Sequence, residues 1–426
     1  MNDSERRAVA TLATVYAIRM LGLFMVLPVF ALLGPELAGA TPALVGMAIG
    51  IYGLSQACLQ VPFGALSDRL GRKRLIYIGL VIFAAGSLVA GASDHILGVI
   101  VGRALQGAGA IASVLMALVS DLTRAEQRTK AMASIGVTIG LSFSLSLILG
   151  PLLSQFTGLS GIFYLTAALA LVAMVVVWKL VPNPPAMITE GEHLPARAML
   201  GQVLRDQRLL RLDFGIFALH LALTALFIQV PVMLSERLEL PVDSMWWFYL
   251  TVMVTSFFAM VPFIILGEKK EQMKAVLCGA VALLVMASMA LWQWSTTLTA
   301  AWFGLFFFFM AFNLLEASLP SLISKESPAG AKGTAMGVYS TSQFFGAFLG
   351  GAAGGAMSGW AGADGVFGLM VLVLLAWLVV AATMSAPRYR DRGADRFVVE
   401  LQESNADDGT SGMNNDRAGV NHGTRC

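Results

Sequence analysis

Charge is what this sequence most lacks. Only 13% of its 426 residues are Asp, Glu, Lys or Arg, against 57% hydrophobic, and the mean hydropathy is +0.75. No single soluble core hides that much apolar surface, so a water-soluble globular domain is excluded and lipid is the expected solvent. Cysteine is as scarce: Cys58 and Cys278 fall inside apolar runs and Cys426 is the last residue, which leaves no disulfide framework. Of the four histidines, His95 sits in a short loop and His193 and His422 in polar segments. No His-Glu-x-x-His or paired-acid pattern falls on one helix, so no metal site and no intramembrane hydrolase is expected. The apolar runs do not alternate with polar positions, which excludes barrel strands. A cleaved leader is not expected either, because the apolar stretch after Arg6 and Arg7 continues to Leu33 without a small-residue cleavage site.

What the sequence has is a series of long apolar runs. Crossing a hydrocarbon layer of about 30 Å takes roughly 20 residues of helix, and only helices satisfy their own backbone over such runs. Twelve spans are predicted: 9–33, 43–66, 75–92, 96–119, 131–155, 161–181, 212–234, 245–266, 275–294, 298–322, 334–357 and 363–385. Of the 28 Lys and Arg, Arg237 falls outside, Arg19 and Arg103 fall within spans, and the other 25 collect on one side. By the positive-inside rule that side is cytoplasmic and holds both termini. Pro182-Asn183-Pro184-Pro185 ends the sixth span. The predicted organisation is therefore a six-helix bundle over 1–182, a central loop over 183–211, a second bundle over 212–386 and a polar tail, read as disordered, over 387–426. Between Met199 and Leu212, leucines interleave with arginines, as in a helix lying on the inner leaflet; a solvated linker explains the same pattern.

The two halves repeat. Val61-Pro62-Phe63 with Asp68-Arg69 returns as Val261-Pro262-Phe263 with Glu268-Lys269, and Lys130-Ala131-Met132-Ala133 returns as Thr334-Ala335-Met336-Gly337 at an offset of 204. Between spans two and three stands Gly64-Ala65-Leu66-Ser67-Asp68-Arg69-Leu70-Gly71-Arg72-Lys73-Arg74, an acid among cations in a glycine turn. This loop resembles the signature of the major facilitator superfamily. Arg103 through Gln106 to Ala110, Gly22 through Pro28, and Gly150-Pro151 resemble further motifs of its proton-driven drug-efflux branch, though Ser146 and Leu152-Leu153-Ser154 depart from the exporter pattern.

The resemblance implies an all-α membrane protein of twelve helices in two pseudo-symmetric bundles, with a substrate site between them. It implies a cytoplasmic gate of Gly64, Asp68, Arg69, Gly71, Arg72 and Lys73, in which Asp68 meets the start of the eleventh helix near Gly333 to Gly337. Arg103 and Gln106 are expected at the central cavity, a fixed interhelical hydrogen bond being the other reading of Arg103, and Gly22, Pro28, Gly150 and Pro151 in helix packing. The stretch Phe312-Asn313-Leu314-Leu315-Glu316 also matches the branch, which places Asn313 near the cavity. Close members of this branch carry a small soluble domain after helix twelve; a tail of this length and polarity is expected not to form one.

Three intramembrane residues carry chemistry on their own account. Glu316 stands about 10 Å inside span ten, a proton-carrier candidate that could also be a structural hydrogen-bond partner, and His220 lies at comparable depth in span seven. Arg19, near mid-membrane, suits an anionic substrate or a buried acid equally. Phe24, Met25, Phe227, Trp246 and the run Phe306 to Phe309 suit apolar cargo or lipid. The expected function is export of drug-like or amphipathic small molecules in exchange for protons by alternating access, in a bacterial inner membrane, by a monomer with no cofactor and no nucleic-acid partner. The alternative is proton-coupled transport of one metabolite, anionic if Arg19 and Arg103 bind it; a nontransporting membrane sensor is a third reading.

Overall fold

A computed structural model describes residues 1–124, 127–182, 196–269, 272–328 and 331–384. The tail 387–426 and loop positions 183–195 lie outside the described residues. Among those described the secondary structure is helical, without a strand. The helices are α1 (Asp3–Phe24), α2 (Leu27–Leu33), α3 (Pro42–Leu70), α4 (Arg72–Gly91), α5 (Ile96–Ala108), α6 (Ala112–Asp121), α7 (Arg128–Leu180), α8 (Ala196–Arg205), α9 (Gln207–Val232), α10 (Met245–Lys269), α11 (Met273–Trp294), α12 (Leu298–Glu326) and α13 (Lys332–Ala382).

Local chemistry sets the ends. Asn2 and Glu5 form a capping box at α1, and Thr41, Asp206 and Thr297 cap α3, α9 and α12 through their side chains. Pro28 cannot donate a backbone hydrogen bond and crowds the carbonyl four residues back, so the first crossing breaks between α1 and α2. The fourth crossing breaks likewise at Gly109 to Ile111, between α5 and α6.

Among the described residues ten stretches are long and apolar enough to cross a membrane, and two of them, Lys130–Leu180 and Lys332–Ala382, run to 51 residues. At about 1.5 Å per residue that is more than twice the hydrocarbon thickness. Each is interrupted by a glycine in the left-handed region, Gly158 at φ 62° and Gly362 at φ 60°, where a side chain would be strained. The chain folds back there. Gly150 abuts Met25 while Thr166 abuts Gly22, so residues sixteen apart on α7 meet the first crossing within one turn. On α13, Gly346 lies against Phe217 and Trp377 against Gly215. With both folds counted the chain crosses twelve times, and the two fold-back glycines stand 204 residues apart, the offset of the sequence repeat.

The repeat extends to the ends of the bundles. Glu5 at the start of the first crossing accepts from Arg124 after the fourth at 2.9 Å, and Arg208 at the start of the seventh donates to Glu326 at the end of the tenth at 3.2 Å. The clamp recurs with its charges exchanged. We call the side that carries these clamps and the Asp68 loop the basic face. Compared with the sequence expectation, α9 begins at Gln207 rather than 212, and α8 occupies part of the stretch read as an amphipathic helix.

The halves meet along α3 and α13 on the opposite face. A side chain at Gly46, Gly50 or Gly53 would collide with the α13 backbone at Gly351, Gly355, Phe348 or Phe344; close backbone approach of this kind is how small residues drive helix association in lipid. Toward the basic face α3 turns exposed at Val61, Leu66 and Leu70, and at Gly333 and Gly337 an added side chain meets nothing within 4 Å. The pair is joined on one face and parted on the other. Gly351→Leu is expected to prise the seam open, raising amide hydrogen exchange over residues 44–53 by about tenfold or more; exchange unchanged from the parent would mean that this seam does not hold the halves.

Candidate functional site between the halves

In the second half three helices bring one polar chain together. Gln343 on α13 donates from its amide to Oε1 of Glu316 on α12 at 3.2 Å, and the same nitrogen lies 2.9 Å from Nε2 of His220 on α9. His220 Nδ1 is 3.3 Å from the carbonyl of Ile216, so Nδ1 carries the hydrogen and Nε2 accepts, the tautomer of a neutral imidazole. The second Glu316 oxygen is buried without a partner, 3.9 Å from His220 Nε2. Glu316 and His220, expected to lie at one depth, are thus joined through an amide that hydropathy could not single out. Since α12 runs on to Glu326, Glu316 lies about 15 Å inside its end rather than about 10 Å. Asn313 is one turn away on the same helix and half-buried.

Aromatic rings cover this chain toward the opposite face. Phe143 of α7 sits 4.9 Å from Phe24, 6.2 Å from Phe309 and 5.9 Å from Phe312, with Phe227 behind Phe309 and His220 5.9 Å from Phe312. Phe143, Phe227, Phe309 and Phe312 are buried, forming a plug contributed by both halves. The remaining predicted apolar residues serve packing: Phe306 stacks on Trp302, and Trp246 packs against Trp247.

The two arginines expected at the central cavity are placed elsewhere. Arg103 is 1% exposed and donates to the carbonyls of Ala48 and Ile49 and to Gln106, whose amide passes to Ser87. Arg19, also 1% exposed, donates to Tyr52, Gln56 and the carbonyl of Gly109. Among the described residues no acid pairs with either. The break in the fourth crossing contributes one acceptor: Gly109 ends α5, and its carbonyl, which also accepts from the Ile111 N–H, lies 3.1 Å from Arg19 near the negative end of the helix dipole. A guanidinium at this depth is stabilised by fixed acceptors more than by an open cavity. Depth was legible in the sequence; the rotation of the helix was not.

At the basic face Gly71, at φ 92°, makes the turn between α3 and α4. Arg72 binds Asp68 and Ser67 across it and Asp121 at the end of α6 at 3.0 Å. Lys73 caps the end of α7 through the Val181 carbonyl at 2.7 Å. Gly64 packs beside Ser113 and Arg69 is exposed. Asp68, 55% exposed, pairs with Arg72 within its own half, where the resemblance implied contact with the start of the eleventh crossing. Sequence reading missed Asp121, although an acid among the cations of that face was its signal. Gly22, Pro28, Gly150 and Pro151 gather at the contact of the first crossing with α7.

Two six-span lobes related by a repeat, a seam on one face and a half-buried polar chain beneath an aromatic plug are the architecture of a membrane transporter. A model of the Major Facilitator Superfamily matches residues 12–351, and the chain belongs to that family. It is 49% identical over 389 residues to the inner membrane transport protein YajR of Escherichia coli strain K12, covering 91% of this chain and 86% of that protein. It is 28% identical over 365 residues to the multidrug resistance protein MdtH of Aeromonas salmonicida, with 83% and 88% covered. A solved bacterial homologue of the human lysosomal transporter Spinster, inward-facing and unoccupied, matches with TM-score 0.71 at 14% identity, over 90% of this chain and 96% of that one. The human organic anion transporter MFSD10 gives 0.64 at 19%, over 89% and 100%; such identities speak for the fold alone. The chain is a multi-pass membrane transporter, not an enzyme.

Arg103→Ala is expected to lower stability in detergent by about 2 kcal/mol or more, since charge-assisted hydrogen bonds are lost, and Arg103→Lys to rescue little because one ammonium cannot fill three acceptor positions. Unfolding midpoints of the two variants check this; unchanged stability with lost transport would return Arg103 to the cavity.

Proposed function

We propose that this transporter exports amphipathic or drug-like small molecules in exchange for protons, by alternating access, as a monomer in the bacterial inner membrane with its basic face cytoplasmic. The orientation follows from the sequence expectation, in which 25 of the 28 Lys and Arg collect on one side of the predicted spans. The basic-face opening and the plug beyond it fit a pocket loaded from the cytoplasm. The driving force is sufficient: one proton moving inward through about 100 mV supplies about 2.3 kcal/mol, enough for roughly a fiftyfold gradient of cargo.

The observation that carries this reading is Gln343. Its amide spans the carboxyl of Glu316 and the imidazole of His220, and the next residue, Phe344, belongs to the seam, with its carbonyl against Gly53 and its ring 6.4 Å from Tyr52. A charged Glu316 demands donors from Gln343 and His220; a neutral one releases that demand. The charge of one carboxyl therefore bears on the helix that joins the lobes, which is the linkage an antiporter requires. Aromatic rings around the chain supply apolar, weakly selective contact for cargo. The metabolite reading loses the support of Arg103, whose guanidinium is spent inside the first half, and keeps that of Arg19, which bonds through Nη2 alone and has Nε and Nη1 buried without a partner.

Ethidium uptake by everted vesicles under an imposed pH gradient tests the proposal. Glu316→Gln is expected to cut gradient-driven uptake at least about tenfold, a loss of about 1.4 kcal/mol in coupling, and Gln343→Leu to do the same without touching the titrating group. Undiminished gradient-driven uptake in Glu316→Gln would sink the proton role.

A further inference from the structure

The two buried guanidiniums of the first half converge on one residue of the seam helix. Tyr52 of α3 is 2% exposed, its hydroxyl accepts from Arg19 Nη2 at 2.9 Å, and its ring centroid lies 5.2 Å from the guanidinium carbon of Arg103. Arg103 also donates to the carbonyls of Ala48 and Ile49, one turn before Tyr52 on the same helix. From α5, Gly107 comes so close that an added side chain would collide with the Tyr52 carbonyl. This stretch of α3 needs such bracing. Gly46, Gly50 and Gly53 fall within it, and glycine is a poor helix former, so the residues that let α3 and α13 touch also leave α3 soft where its register matters.

Tyr52 faces the other half as well as its own. Its ring meets Phe344 of α13 edge-on at 6.4 Å, and Phe344 packs against the hydrophobic core of the first half although its helix belongs to the second. The contact stands at the basic-face end of the seam. There α3 and α13 run antiparallel, Gly46 against Gly351, Gly50 against Phe348 and Gly53 against Phe344. Farther along, Val61 is 55% exposed and a side chain at Gly337 would meet nothing within 4 Å. The residue before Phe344 is Gln343, whose amide lies between Glu316 and His220. Neighbours on a helix share one rigid backbone, so what seats Phe344 also sets the height and rotation of Gln343.

We infer that Tyr52 is a positioning residue of the transporter: held by Arg19 and Arg103, it seats Phe344 where the lobes fork and so sets Gln343 against Glu316 and His220. Every link in this chain is a direct contact or a peptide bond. Tyr52 acts through Gln343, and Arg19 contributes its Nη2 alone. The bearing of this arrangement on transport rests on the reading of Glu316 as proton carrier; the seating of α13 does not.

The imidazole of His220 reports the position of Gln343. Protein carrying 15N-labelled histidine is reconstituted in liposomes, and its ring nitrogens are observed by solid-state magnetic resonance at fixed pH. The His220 signals are those absent from His220→Gln, and Gln343→Leu gives the displacement when the amide is lost. In Tyr52→Leu and in Phe344→Leu the Nε2 signal is expected to move by at least about half of that displacement, and in the combined variant no further than in either alone, because the two residues act through one contact. Tyr52→Phe, which keeps the ring, is expected to stay nearer the parent. It carries the test with Phe344→Leu if Tyr52→Leu fails to fold: added to Phe344→Leu it moves the signal no further. A parental His220 signal in Phe344→Leu, or displacements that add in the combined variant, overturns the positioning role. Failure of the carrier reading looks different: the signal moves as expected, while gradient-driven ethidium uptake stays undiminished in Glu316→Gln.

Discussion

A charged or polar side chain inside a hydrocarbon layer has no water to satisfy it, so its partners must come from the protein. The two lobes answer this demand in opposite ways. In the first, Arg103 is fixed by the Ala48 and Ile49 carbonyls and Gln106, and Arg19 is held through Nη2 by Tyr52, Gln56 and the Gly109 carbonyl at the break of the fourth crossing. Those acceptors cannot leave, and the cations serve as rigid cross-ties among the first, second and fourth crossings. In the second lobe the partners of Glu316 are an amide and an imidazole, groups whose hydrogen bonds change with the charge they face. One repeat has yielded a fixed lobe and a titratable one.

In the proposed exchange cycle the seam would turn that difference into motion. Where α3 and α13 cross, glycines bring backbone against backbone, and such a contact is either made or broken because no flexible side chain lies between to accommodate partial separation. Phe344 and Gln343 are neighbours on α13, so the helix that senses Glu316 is also the helix that forms the seam. The charge-exchanged clamps, Glu5 with Arg124 and Arg208 with Glu326, hold each lobe together at the basic face, where the lobes themselves part. Stiff lobes and a bistable joint are what rocking requires.

Much of the fold was legible because lipid imposes it. Run length fixed the number of crossings, basic residues marked one face, and the offset of 204 between motif copies anticipated the spacing of Gly158 and Gly362. The site was legible only in part. Glu316 and His220 stood out as ionisable residues in apolar runs, whereas Gln343 is an ordinary member of a polar-sprinkled helix whose importance comes from where three helices converge. Asp213 lay one residue inside the edge of an expected span, and α9 starting at Gln207 sets it within the helix, where it is buried. For Arg103 the sequence left a fixed interhelical hydrogen bond open beside a place at the cavity, and the structure shows such bonds to α3; hydropathy carries no information on which side of a helix faces its own bundle.

The central claim is that the charge of Glu316 sets the balance between the two dispositions of the lobes. The most direct measurement is the distance between spin labels at Leu70→Cys and Lys332→Cys across the basic face, taken by pulsed electron resonance as a function of pH. The account predicts two distances whose populations exchange with pH in the otherwise native protein and become insensitive to pH when Glu316→Gln is added. A pH response that survives in the Gln variant would contradict it.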